Sequence, residues 1–257
     1  MSLTSGKAVN GYVLREDERK CVLQSEVVFI RGWRIILQLI CFLFGVIGLR
    51  VVYGIVSCGE TMTNWTELLR HDNVIPDPCF ERPFVCDGFP DASCAIIIGE
   101  NPATKMDKNW WDYWDINKGF QFKKFMDDYA QARRNAGKNR MSNTRLRLNR
   151  FRESGICCVE TNVYRNENVG GAGTGMSKNE AVLKVLVDNM PAPFAILACG
   201  RVAERFVCEY KSRHGGFPKQ ATELTSLRHL RLETYFNVDK KCREIREICP
   251  TPAPHWS

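Results

Sequence analysis

Apolar residues recur along this chain in short blocks divided by polar and glycine-rich stretches. Residues 94–98, CAIII, form an unbroken apolar run that stops at Gly99. A run of that length, bounded by a turn residue, predicts a strand buried on both faces. Residues 156–159, with Tyr164 beyond them, predict a second strand, and residues 194–198, closed by Gly200, a third. Leu230, Leu232 and Tyr235 alternate as a fourth would. Between these blocks the period changes. Phe122, Phe125, Met126 and Tyr129 fall at helical spacing, and Gly137 then ends the pattern. Ser177 and Glu180 have the spacing of a capping box; Ala181, Leu183, Leu186, Val187 and Met190 come next, on one side of a helix that stops at Pro191. Residues 63–70, 202–211 and 238–248 predict three more helices, the second ended by Gly215 and Gly216. Alternation of strand and helix predicts a three-layer α/β/α domain over residues 62–257, with a central four-stranded parallel sheet.

The first 61 residues have another pattern. Residues 35–49 carry no charge, Arg50 interrupts them, and residues 51–56 continue the apolar run. That is enough for an N-terminal hydrophobic helix that spans a bilayer, which takes about 20 residues. Arg15, Arg19, Lys20, Arg31 and Arg34 precede it, and only Arg70 lies comparably close behind. The charge bias would put the later domain outside the cytoplasm. Two other readings stay open. Ile55-Val56-Ser57-Cys58 loosely resembles a lipid-attachment cleavage box, although the stretch ahead of the apolar run is long for a signal. Alternatively, translation begins at Met62. The expectation is a membrane-anchored protein if residues 1–61 are translated, and a cytoplasmic one if they are not.

Composition narrows the class. The chain has 257 residues, of which 44% are hydrophobic and 25% charged, which excludes a disordered or collagen-like chain. Its length allows a core that needs no metal or disulfide staple. Twelve cysteines are present. No two have C-x-x-C spacing, so a zinc ribbon or a dithiol redox site is not expected. Isolated cysteines in apolar runs read as small buried hydrophobes. The formal net charge is +7. Its densest block holds Arg133, Arg134, Lys138, Arg140, Arg145, Arg147, Arg150 and Arg152 with no acid between the first and last. Such a block suits a phosphate backbone or a solvated helix end. Trp110, Trp111 and Trp114 read as a hydrophobic lid or a wedge between bases.

Chemistry in a parallel sheet belongs just beyond the carboxyl ends of the strands. There the chain places Gly99-Glu100-Asn101-Pro102-Ala103-Thr104, then Thr161-Asn162, then Gly200. Glycine permits the sharp turn and proline stiffens it, so Asn101 is held rigidly at the sheet edge. Asn162 offers an amide donor and an acceptor, able to read the edge of a base or a peptide-like ligand. His229 opens the fourth apolar block, with His214 as its rival. The loop at residues 170–175, GGAGTG, precedes a helix and could cradle a phosphate, which keeps a nucleotide-binding α/β enzyme open as an alternative. It lacks the lysine of a P-loop.

GENPAT after an apolar strand, the strand VETN, SNTR and the turn ACGRVA resemble the uracil-DNA glycosylase superfamily over roughly residue 76 to the C-terminus. The resemblance implies a monomeric DNA-repair hydrolase without metal or organic cofactor, whose partner is DNA carrying a damaged or deaminated base. It implies that Asn101 positions the attacking water and that His229 stabilises the leaving base. Gly99, Pro102, Ala103, Phe120 and Asn162 would form the base pocket, with Phe120 stacking on the base. Ala103 is too small to exclude a 5-substituted pyrimidine. Ser142, Thr144, Arg145 and Arg147 would hold DNA phosphates. The second motif departs from the family's H-P-S form: Leu230 and Arg231 stand after His229, which puts the usual intercalation loop in doubt. A non-catalytic DNA-binding relative is the remaining alternative.

Overall fold

The computed structural model describes residues 63–102, 104–166, 178–191 and 193–250. The chain divides into two units, Met1–Glu60 and Thr61–Ser257, and all described residues lie in the second. The expected hydrophobic helix at 35–56, the glycine-rich loop at 170–175, Ser177 and Ala103 fall outside them. Among the described residues no helix is long and apolar enough to cross a membrane.

The central sheet is built from β1 (Phe84–Val85), β2 (Ala95–Gly99), β5 (Cys158–Asn162), β6 (Phe194–Cys199) and β7 (Ala221–Leu227), in the order β1-β5-β2-β6-β7. Two further strands, β3 (Trp114–Asp115) and β4 (Gly119–Phe120), form a separate ribbon. The main sheet is therefore five-stranded and mixed, not four-stranded and parallel. Four strands run parallel as expected, and β1 pairs antiparallel with β5 at the edge. Strand β1 escapes a sequence reading because it is two residues long and comes after a proline-rich stretch. It is held by side chains: the Thr161 hydroxyl and the buried Asn179 amide both donate to the Pro83 carbonyl, at 2.7 and 2.6 Å.

The fourth parallel strand is Ala221–Leu227, ahead of the expected Leu230 block. As an edge strand it is only partly covered along ATELTSL, with Leu227 its one buried residue, and needs little apolar content. Leu230–Leu232 instead forms a 3-10 turn that buries Leu230 and leaves Leu232 in solvent. His229 consequently sits beyond the carboxyl end of a strand rather than at the start of one.

Alternate side chains of each central strand enter opposite cores, which makes the three layers. Ile96, Ile98 and Ile196 face a core shared with α1 (Trp65–Arg70), α2 (Phe122–Asn135), α4 (Glu180–Asn189) and α5 (Arg201–His214). Ala95, Ile97 and Leu197 face a second core under α3 (Asn143–Glu153) and α6 (Tyr235–Ile248). The chain leaves β2 toward β5 and leaves β6 toward β7, in opposite directions. Neighbouring strands whose connections diverge open a crevice at their carboxyl ends.

Candidate active site

A cavity of about 150 Å³ occupies that crevice. It is well above the ~15 Å³ that one water needs. Gly99, Glu100, Asn101 and Pro102 enter it from the end of β2, and Glu160, Thr161 and Asn162 from β5. Cys199 contributes from β6, and His229, Leu230 and Arg231 from the loop beyond β7. The amino end of α3 closes it with Ser142, Thr144 and Arg145. Most of the expected site residues thus meet around one space, although they come from four separate stretches of sequence.

Local geometry explains the placement. Gly99 stands opposite Asn162 in the β2–β5 register, and a Cβ there would lie 2.8 Å from the Asn162 side-chain oxygen. Only glycine lets that amide lie across the strand end. Gly200 has φ +98°, and a Cβ built on it would lie 3.6 Å from the His229 Cα, so this turn sets the histidine against β6. Arg231 donates its backbone N–H to His229 Nδ1 at 3.2 Å. With Nδ1 accepting, the proton of the neutral ring sits on Nε2, which is left to donate. His214 pairs with Glu180 at 2.8 Å and does not line the cavity.

Three expected roles are corrected. Phe120 is 1% exposed and packs among Trp110, Tyr113 and Phe125, with ring centroids 5.5 to 5.9 Å away. It is a core residue and does not line the cavity; the aromatic side chain that does is Tyr129. Phe120→Leu should therefore lower stability by about 1.5 kcal/mol without a separate effect on ligand binding, read by urea denaturation beside a binding isotherm. Arg147 lies outside the cavity, donating to the Glu233 carbonyl with its guanidinium 4.7 Å from the Tyr235 ring centre. Arg145 lines the cavity but is buried, and it pairs with Glu160 at 2.6 Å rather than facing solvent.

Part of the basic block is engaged by the fold itself. Arg133 donates to Thr104 and the Asn139 carbonyl, Arg145 and Arg152 share Glu160, and Arg150 grips Asp239 with two hydrogen bonds. Arg134, Lys138 and Arg140 keep the block's exposed charge. The tryptophans are internal braces: their indole N–H groups donate to the Phe84 carbonyl, the Pro76 carbonyl and the Thr66 hydroxyl.

Electrostatics divides the lining groups by role. Burial alone would raise the Glu160 carboxyl, but Arg145 and Arg152 outweigh it and hold it below the usual carboxylate range. Burial pushes the Cys199 thiol far up, so it stays protonated and is a poor nucleophile. The nine described cysteines are all free thiols. Among the described residues no group of three or more His, Cys, Asp or Glu is placed to hold a metal ion.

Tyr129 and Arg82 are cavity residues outside every motif, and Glu160 in VETN and Arg231 after His229 line the cavity without having been given a role by their motifs. Tyr129 carries one signal, its place in the apolar stripe of α2, but that stripe reads equally well as core. No protein-family model and no curated protein matches the chain, so the reading of the site rests on its own chemistry.

Proposed function

We propose that this chain is a DNA glycosylase that hydrolyses the N-glycosidic bond of a flipped uracil or related altered pyrimidine and leaves an abasic site. The observation that carries the reading is that Asn101, Asn162, Ser142 and His229 line one cavity at the carboxyl ends of the strands. A base inside a duplex cannot be reached, so the target nucleotide swings out into such a pocket. Asn162 pairs with the base edge, and a base that leaves this amide unpaired is rejected. The Asn101 amide is not a base; it orients water toward the sugar carbon. Water adds its oxygen there as the bond to the ring nitrogen breaks, the water's spare proton goes to solvent, and the base departs as an anion. The transition state has oxocarbenium character, as in other glycoside hydrolysis. The Nε2–H of His229 stabilises the departing charge. Leu232 is 63% exposed and Phe236 72%, close in sequence to His229. They are suited to serve as apolar wedges that fill the gap left by a flipped base.

The test is abasic-site formation by the full chain on single- and double-stranded oligonucleotides containing uracil or other altered pyrimidines. Alkali-labile sites should appear with at least one substrate and not with undamaged DNA. DNA binding without base release across the whole panel would replace this reading with that of a non-catalytic DNA-binding protein.

A further inference from the structure

Tyr129 lines the cavity, and the proposed reaction leaves it without a task. The residue is 2% exposed. Three guanidinium groups lie against its ring: Arg145 of α3 at 5.5 Å from the ring centre, and Arg82 ahead of β1 and Arg133 of α2, each at 5.9 Å. Cations at that range are attracted to an aromatic face and to any negative charge that forms beside it. The other charged or titratable groups on the cavity wall are Glu100, Glu160, Cys199, His229 and Arg231. Of these, Glu160 is already held by Arg145 and Arg152.

The Tyr129 hydroxyl donates to the Ser142 hydroxyl oxygen at 2.9 Å, and the same oxygen accepts from the Arg145 backbone N–H at 3.1 Å. Both lone pairs of Ser142 are then engaged, and its proton is left to donate. Two hydroxyls in line polarise each other, so the second is the stronger donor. A phenol that loses its proton turns the pair round. The phenolate only accepts, Ser142 must donate to it, and Ser142 then offers the cavity a lone pair in place of a proton. Burial would raise the Tyr129 phenol, but hydrogen bonding from Ser142 and Thr104 and the Arg145 and Arg133 cations outweigh it and hold it below its ordinary value. The reversal therefore comes below the ordinary tyrosine value of about 10.

We propose that Tyr129 is a positioning residue: its hydroxyl fixes the direction of the Ser142 hydroxyl, so that the Ser142 proton meets an acceptor oxygen of bound DNA, and loss of the Tyr129 proton reverses the pair and loosens the complex. Tyr129 acts through Ser142 and touches no reacting atom itself. The inference rests on the reading that the cavity receives a DNA nucleotide. It adds to that reading an alkaline limit on binding, set by one named group.

The experiment titrates the full chain and its Tyr129→Phe variant with a single-stranded oligonucleotide carrying 2′-fluoro-deoxyuridine. The fluorine disfavours an oxocarbenium ion, so binding is read without base release; a parallel assay on ordinary deoxyuridine reads base release. Between neutral pH and about pH 9.5, wild-type affinity should fall at least about tenfold, or ~1.4 kcal/mol. Tyr129→Phe cannot ionise. It should bind about threefold more weakly at neutral pH and stay level over the same range. Should Tyr129→Phe fail to fold, Ser142→Gly, in which glycine still caps the helix, supplies the comparison, with weaker and equally level binding expected. Parallel pH curves for wild type and a folded variant overturn the inference. So does an ultraviolet titration in which wild type forms no tyrosinate, beyond that of Tyr129→Phe, below about pH 10. Parallel binding curves with base release intact remove the Tyr129 inference alone. The expected binding curves without base release remove the glycosylase reading alone, and absence of binding by wild type at every pH removes both.

Discussion

Asn101→Ala should lower abasic-site formation by about 10²-fold or more, because a water displaced by even 1 Å loses its line of attack. Asn101 lies two residues beyond Gly99, in a turn stiffened by the buried Pro102, and its side chain borders the cavity. Removing the amide leaves that turn in place, so DNA affinity should hold while the rate falls. A single-turnover assay on uracil-containing DNA beside a binding isotherm separates the two. Asn101→Asp gives a second reading of the same position. A carboxylate can take the proton that an amide cannot, so activity should persist and gain an acid limb near the ordinary aspartate value of about 3.9. Equal rates for wild type and Asn101→Ala would remove this residue from the mechanism.

The largest effect on stability is expected at Glu160. Glu160→Ala leaves Arg145 and Arg152 facing each other in a buried wall, with side chains only 5% and 16% exposed. Breaking a buried ion pair by deleting one partner costs about 3–5 kcal/mol, a large share of the ~5–15 kcal/mol that holds a domain together. Urea denaturation should show the midpoint falling by a corresponding amount. The wild-type carboxyl also makes stability depend on pH. Its folded value lies below the unfolded one. Its contribution is therefore complete above the ordinary glutamate value of about 4.3 and is lost as pH falls through the lower folded value. In Glu160→Gln that part of the acid sensitivity should vanish. An unchanged acid profile in Glu160→Gln would show that other carboxylates dominate.

Much of the fold is legible in the sequence because its signals are local. CAIII and FAIL are too apolar and too short to be anything but buried strands, and Gly99 and Gly200 mark where they stop. The stripe from Phe122 to Tyr129 has one period and gives one helix, α2. The capping-box expectation for α4 shifts: the helix begins at Glu180 behind Asn179, whose side chain ties β1 to β5 instead of capping. Strand β7 lies earlier than expected because an exposed edge strand and a solvated loop have the same composition. The helix α3 is hidden for a related reason. NTRLRLNRFRE has few apolar positions, yet Leu148 and Phe151 suffice to seat it on the second core.

The site divides in the same way. Asn101, Asn162 and His229 are legible because each stands just past a strand or beside an apolar block, a position that a linear sequence displays. Ser142 stands out as part of SNTR and proves to be a helix cap, with one hydroxyl joining α3, Tyr129 and the cavity. Phe120 and Arg147 depart from their expected roles because residue type says nothing about which face of a packed element looks inward. Arg145 is expected at a DNA backbone because charge in a sequence reads as surface. Its partner Glu160 is 15 residues away and is reached only when α3 lies across β5.

By itself, then, the sequence determined the α/β alternation, the strand ends and the polar side chains beside them, because each depends on neighbours within a few residues. The tertiary structure alone decided which strands are neighbours, that β1 closes one edge, that Arg133, Arg145, Arg150 and Arg152 of the basic block are engaged by partners within the fold, and that a buried cation lines the cavity. Those outcomes depend on contacts between distant segments. Their energies come from desolvation and charge pairing, which exist only after the chain has folded.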